Sequence, residues 1–308
     1  MTGFNDTTAR FFYKAGCDKI GTMIWQTLGF NKVKAFFEEA AGSGRLSHAY
    51  IFSGQEMIGK RTFTLELAEL VNDTAASSAA NPDLFLVDSE SSESGQTIAI
   101  DEVRKVKNFI SLSPYIGRYK LVVVNDAHLM TAEAQNALLK VLEEPSPSSI
   151  LILVTANPSA LLQTITSRCQ EIKFFPHPRG IIDGVLKNSG LSKSEAGFLA
   201  EFSNGRIGLI KTIIAEKSFG EIRSAVEELT RLIKAGINER LVIAQKLSDE
   251  KNEPDLLKKV LYWILYVRMR INEPKAHAVL NGLVNLYVVI SRPQFNRRLA
   301  LENFLVQL

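Results

Sequence analysis

HAYIFSGQEMIGKRT, from His48 to Thr62, is the stretch on which the fold turns. A short buried strand, His48 to Phe52, runs into a glycine-bounded loop, and Phe63, Leu67 and Leu70 then recur at helical spacing over residues 62–71. Strand, loop and helix in this order are the context of the phosphate-binding pattern G-x-x-x-x-G-K-[ST]. Its backbone N–H groups and the following helix N-terminus attract an anion whatever the side chains are. Gly54, Gly59 and Lys60 meet the pattern, and Lys60 can pair with β- and γ-phosphates. Arg61 does not, because a Ser or Thr hydroxyl should stand there to hold Mg²⁺. Thr62 comes one position late, and one residue on a helix turns a side chain by about 100°, so it is no substitute. The frame is that of a nucleotide pocket without its metal grip.

A second departure lies downstream. The apolar run Leu121 to Val124 reads as a strand and ends in Asn125 and Asp126, where a Mg²⁺-holding strand usually ends in two acids. Asp126 could polarise a water, but Asn125 brings no charge. The plainer alternative is that the pair merely turns the chain. Further strands are expected at 83–87, 150–155 and 171–175, and amphipathic helices at 31–41 and 100–110. A helix over 132–144 should be capped by Thr131 and ended by Pro145. Strands alternating with helices predict an α/β fold with a parallel sheet covered on both faces.

Beyond Pro176 and Pro178 no strand is expected. A smaller helical unit, 179–217, is closed by Asn204 and Gly205, and an all-helical bundle fills 218–308. Leu256 to Ile271 is apolar nearly all round and so needs partners on more than one side, which neighbouring subunits would supply. Glu143 and Glu144, in the last turn of the 132–144 helix, oppose its dipole by about 0.3–1 kcal/mol each. A cationic partner, in this chain or another, would offset them. Arg168, in TITSRCQ, falls between two strands, at the rim where such sheets present functional loops.

Composition narrows the classes. The 308 residues carry a net charge of only +3, which builds in no strong field for nucleic acid. Cys17 and Cys169 are too few for a Cys₄ zinc site, and their separation suits a reducing compartment better than a disulfide framework. No apolar run reaches the roughly 18–20 residues of a membrane span. Residues 1–22 are polar and glycine-punctuated. They read as an N-terminal extension, either an appended leader with Met23 as the native start or an ordinary mobile terminus.

Taken in order, GRLSHAYIFSG (44–54), the imperfect phosphate loop, AEAQNALLKVLEEP (132–145), TITSRC (164–169) and NRRLALENFLVQL (296–308) carry a resemblance. They closely resemble the AAA+ clamp-loader family of bacterial DNA polymerase III, in its delta-prime branch, from Met23 to Leu308. The resemblance implies an AAA+ α/β domain at 23–178, a helical lid at 179–217 and a helical collar for oligomerisation at 218–308. It implies that Arg168 is an arginine finger entering a neighbouring subunit's ATP site, and that Thr155 and Asn157 occupy the sensor 1 position. Gly54, Gly59, Lys60, Arg61, Thr62, Asn125 and Asp126 would then form a degenerate nucleotide site without metal and without intrinsic ATPase activity.

The implied assembly is a cytoplasmic hetero-pentamer with one delta and three gamma/tau subunits. It would load a sliding clamp on primed DNA within the DNA-directed DNA polymerase holoenzyme, a nucleotidyltransferase. Many relatives chelate zinc with four cysteines in the first domain, but residues 72–83 contain none here, so no zinc is expected. No cofactor is required, although Lys60 and the loop backbone leave weak ATP binding open. The rival readings are a gamma/tau-type motor, another AAA+ DNA-remodelling ATPase, and a plain scaffold. The first two need the hydroxyl after Lys60 and the acid pair after Val124.

Overall fold

The computed structural model describes residues 25–72, 81–88, 97–247, 253–291 and 295–308. The 1–22 extension, Cys17, the 89–94 loop and most of the segment at 72–83 lie outside them. Five parallel strands form one sheet: β1 (Ala49–Ser53), β2 (Leu84–Val87), β3 (Lys120–Val124), β4 (Ser149–Thr155) and β5 (Gln170–Lys173), in the order β2-β3-β4-β1-β5. β1, β3 and β4 are buried along their whole length, as strands covered on both faces must be.

Alternate side chains of β3 show how the sheet is covered. Leu121 and Val123 join Phe37 of α1 (Asn31–Gly42) and Phe63 and Leu67 of α2 (Lys60–Asn72). Val122 and Val124 join Val103 of α3 (Ile100–Ile110) and Leu138 of α4 (Ala132–Glu143) on the other face. Thr131 caps α4 as its sequence demands, its hydroxyl accepting from the Ala134 amide at 3.2 Å. A single turn, α5 (Gln163–Thr166), leads into β5.

The loop between α3 and β3 is built around one buried acid. Asp83, fully shielded, accepts from the amides of Tyr115, Ile116 and Gly117 at 2.6, 2.7 and 2.8 Å, and its carboxylate pairs with buried Lys120 at 3.0 Å. Burial alone would raise its pKa; the three amides and Lys120 outweigh that and hold it at about 2.

The described residues after Pro178 form only helices: α6 (Arg179–Leu186), α7 (Lys193–Phe202), α8 (Ile207–Glu216), α9 (Phe219–Lys234), α10 (Ile237–Leu247), α11 (Glu253–Met269), α12 (Ala276–Ile290) and α13 (Arg297–Gln307). Asn204 and Gly205 do not close the smaller helical unit. They form the turn between α7 and α8, with φ of 48° and 78°. One continuous core runs from Ile182 to Leu305.

Trp263 lies in that core, fully buried, with its Nε1–H donating to the Ala225 carbonyl at 2.8 Å. The all-round apolar face of α11 is therefore satisfied by helices of its own chain, α7, α9 and α12, and not by neighbours as its pattern implied. Exposed apolar side chains of the helical half include Ile233 on α9 and Leu241, Val284, Val288, Leu299 and Val306 on α10, α12 and α13.

Candidate functional site

Parallel register gathers the expected pocket at the carboxyl edge of the sheet. Ser53 pairs beside Thr155 and Val124 beside Leu153, so the loops after β1, β3 and β4 converge, and the Gly54 amide donates to the Thr155 carbonyl at 3.2 Å. The phosphate loop, Asn125, Asp126, Thr155 and Asn157 are thus neighbours. Thr155 is fully buried; its Oγ1 lies 3.4 Å from His128 Nδ1 and accepts from the Asn157 amide at 3.0 Å.

The loop is satisfied from within. Lys60 is folded back, its Nζ donating to the carbonyls of Gly54 and Gln55 at 2.7 and 2.6 Å. The Gly208 amide, in the first turn of α8, donates to the Met57 carbonyl at 2.6 Å, and His177 Nε2 donates to the Ile58 carbonyl at 2.9 Å. Arg206 adds a bond from Nε to Gln55 Oε1 at 3.2 Å. Four loop carbonyls therefore face donors of this chain, one of them, the Gly208 amide, from beyond the sheet domain.

Burial drives the Lys60 pKa down to about 8, against the pull of Glu56 and Asp126 and with a push from Arg206. Burial likewise lowers His177, which suits the neutral Nε2–H tautomer that its bond to Ile58 requires. An aromatic cluster packs beside the loop. Phe30 meets Phe63, Phe174 and His177 at centroid distances of 6.3, 4.8 and 4.5 Å, and Trp25 stacks on Phe63 at 4.8 Å.

The residues present do not fit Mg²⁺. At the hydroxyl position Arg61 points to Asp88, with Nη2 and Oδ2 3.2 Å apart, and Thr62 is exposed. Asn125 Nδ2 donates to Asp126 Oδ2 at 2.9 Å, so an uncharged amide stands where a second acid would and occupies one acceptor site of Asp126. Burial, reinforced by Glu56 and Asp88, raises the pKa of Asp126 despite His128 and Lys60, and so disfavours the charged ligand a cation needs. Among the described residues no cluster of three His, Cys, Asp or Glu side chains offers an alternative.

Arg168 is not part of this pocket. It immediately precedes β5, and Gln170 pairs beside Tyr50 at the start of β1, so Arg168 lies at the amino edge of the sheet, opposite the phosphate loop. The sequence reading had placed it at the functional rim. It had expected a parallel strand here but not its place beside β1, where β5 begins as β1 begins.

The guanidinium is exposed and donates from Nη2 to Glu143 Oε1 at 3.1 Å and from Nη1 to the Thr164 carbonyl at 3.0 Å. Glu143 thereby finds the cation that its position at a helix C-terminus called for. Gln135, buried in α4, ties this corner together: it donates to the Met130 and Ala160 carbonyls at 3.3 and 3.2 Å and accepts from the Leu162 amide at 2.8 Å. Sequence reasoning also missed Phe30, His177, Arg206 and Gly208, whose roles depend on contacts across long separations; the only local signal was the paired prolines around His177.

Residues 29–178 match the family model described as DNA polymerase III, delta subunit. The chain is 31% identical over 204 residues to DNA polymerase III subunit delta′ of Bacillus subtilis, covering 61% of this chain and 60% of that protein. It is 30% identical over 191 residues to the gamma/tau subunit of Mycobacterium tuberculosis, covering 56% of this chain and 32% of that one. It thus spans about 60% or less of the curated relatives it matches. A DNA polymerase III gamma subunit-related protein of Thermotoga maritima has the same fold, with a TM-score of 0.55, 24% identity and coverage of 88% of this chain and 97% of that one.

Proposed function

We propose that this chain, a clamp-loader protein of delta-prime type whose residues 29–178 belong to the DNA polymerase III delta-subunit family, lends Arg168 to the ATP site of a neighbouring subunit while its own pocket idles. The observation that carries this reading is the place of Arg168. Strands rise about 3.3 Å per residue, so the length of β1 keeps Arg168 on the order of 15 Å from the phosphate loop of its own chain. A finger at this edge could act only on a nucleotide held by another molecule. An arginine supplied in trans stabilises charge on a transferring phosphoryl group and is worth about 10³–10⁵ in rate.

In this reading 23–178 is the AAA+ domain, 179–217 the lid and 218–308 the collar. The partners are gamma/tau and delta subunits in a hetero-pentamer, which loads a sliding clamp on primed DNA as part of the cytoplasmic polymerase holoenzyme. The exposed apolar side chains of α10, α12 and α13 support a collar that packs against neighbours. The bonds from Gly208 and Arg206 to the loop support a stiff, stator-like body, since they tie the helical unit to the sheet domain.

The gamma/tau relatives, at nearly equal identity, favour a second reading as a motor subunit. Arg61 and the bond between Asn125 and Asp126 oppose it. The test is clamp- and DNA-stimulated ATP turnover in a complex reconstituted with wild-type or Arg168→Ala chain. The finger predicts a loss of about tenfold or more in that turnover; unchanged turnover leaves only a scaffold. Brisk hydrolysis by the purified chain alone would favour the motor.

A further inference from the structure

Glu143 and Arg168 meet across 25 positions of sequence, one at the last turn of α4 and the other just before β5. The pair is open to solvent, with side chains 52% and 39% exposed, so it adds little to folding stability. Its geometry has a different consequence. The carboxylate occupies one edge of the guanidinium fork, and the Thr164 carbonyl takes the other terminal nitrogen. Each acceptor takes one hydrogen of its terminal nitrogen, so a phosphoryl oxygen must share that nitrogen or displace the acceptor, and a carboxylate about 3 Å away also repels the incoming charge.

Resting on the proposed finger role of Arg168, we propose that Glu143 is a positioning residue. It parks the guanidinium against the C-terminal end of α4 until a neighbour's phosphate displaces it. The oxygens of phosphate and carboxylate compete for the same fork, so parking lowers the apparent affinity of the adjoining site for ATP without entering the chemical step. An exposed pair of this kind sets a twofold to fivefold effect. It also sets a salt dependence, because the pair is screened as ionic strength rises. Parking further offsets the unfavourable charge of Glu143 at a helix C-terminus, which explains how the acid is tolerated there.

The test uses the complete reconstituted complex with four versions of this chain: wild type, Glu143→Gln, Glu144→Gln and Arg168→Ala. Glu143→Gln is expected to lower the KM for ATP in clamp-stimulated turnover twofold to fivefold with kcat unchanged, and the difference should narrow as salt is raised. Glu144→Gln, which loses a neighbouring charge but no ion pair among the described residues, should leave both parameters at wild-type values. A Glu143→Gln complex with unchanged or raised KM, or with a salt-independent difference, overturns the parking role. Arg168→Ala separates the two claims. If that variant turns over ATP like wild type, the finger reading itself fails; if it is impaired while Glu143→Gln is silent, only the parking role is lost.

Discussion

Replacing Asp83 by Asn should unfasten the loop between α3 and β3. The side chain is fully shielded and its carboxylate takes three amide hydrogens and the Lys120 ammonium. An unfolded Asp titrates near 3.9, and here the folded value is about 2, so the folded state prefers the anion by about 2–3 kcal/mol. The sign follows from the depressed value: this contribution is complete above about pH 5 and is lost as pH falls through 4 toward 2.

Asn keeps one acceptor oxygen, and its NH₂ group faces amide donors. Lys120, 5% exposed, is left with the Pro82 carbonyl and the face of Phe109 but no counter-charge. Breaking a buried pair from one side costs about 3–5 kcal/mol, which sets the expected destabilisation at neutral pH. Urea unfolding of wild type and variant from pH 7 to pH 3 measures it, and the amides of Tyr115, Ile116 and Gly117 should exchange at least about tenfold faster in the variant. A destabilisation below about 1 kcal/mol, or one that does not shrink between pH 5 and 3, would refute the reasoning.

Other perturbations have equally definite outcomes. Trp263→Ala should cost about 3–5 kcal/mol in chemical denaturation, from lost burial and the orphaned Ala225 carbonyl. Gly208→Ala brings a Cβ to 2.6 Å from the Met57 carbonyl, so α8 must retreat from the phosphate loop. Hydrogen exchange in residues 207–216 should quicken and stability fall by about 1–3 kcal/mol. Thr131→Ala should remove about 1 kcal/mol with the N-cap, read as a shift in urea midpoint. Lys60 loses its proton near pH 8 when folded but near 10.4 when unfolded, so stability should rise with pH across that window. Lys60→Gln should abolish the rise in pH-dependent melts.

The sheet was legible because covered strands need apolar runs, and Leu121–Val124 and Ile150–Thr155 have nowhere else to go. The helix over 132–144 declared itself through Thr131 and Pro145, both local signals. What stayed hidden depends on pairs far apart in the chain. Nothing near Arg168 announces Glu143, and nothing near Met57 announces Gly208. The all-round apolarity of α11 correctly demanded partners on several sides, but periodicity cannot say whose they are, and Trp263 found them in its own chain. The edge that Arg168 occupies followed from strand order, since β5 starts beside β1 only once the crossovers are known.

The tie between Gly208 and Met57 couples the phosphate loop to the helical half of the chain. At 2.6 Å the amide leaves no room for a side chain at that point of the α8 helix, so none can reach down toward a bound phosphate from there. Any movement of α8 away from the sheet must first release the Met57 carbonyl, so α8 and the loop travel together while that bond holds.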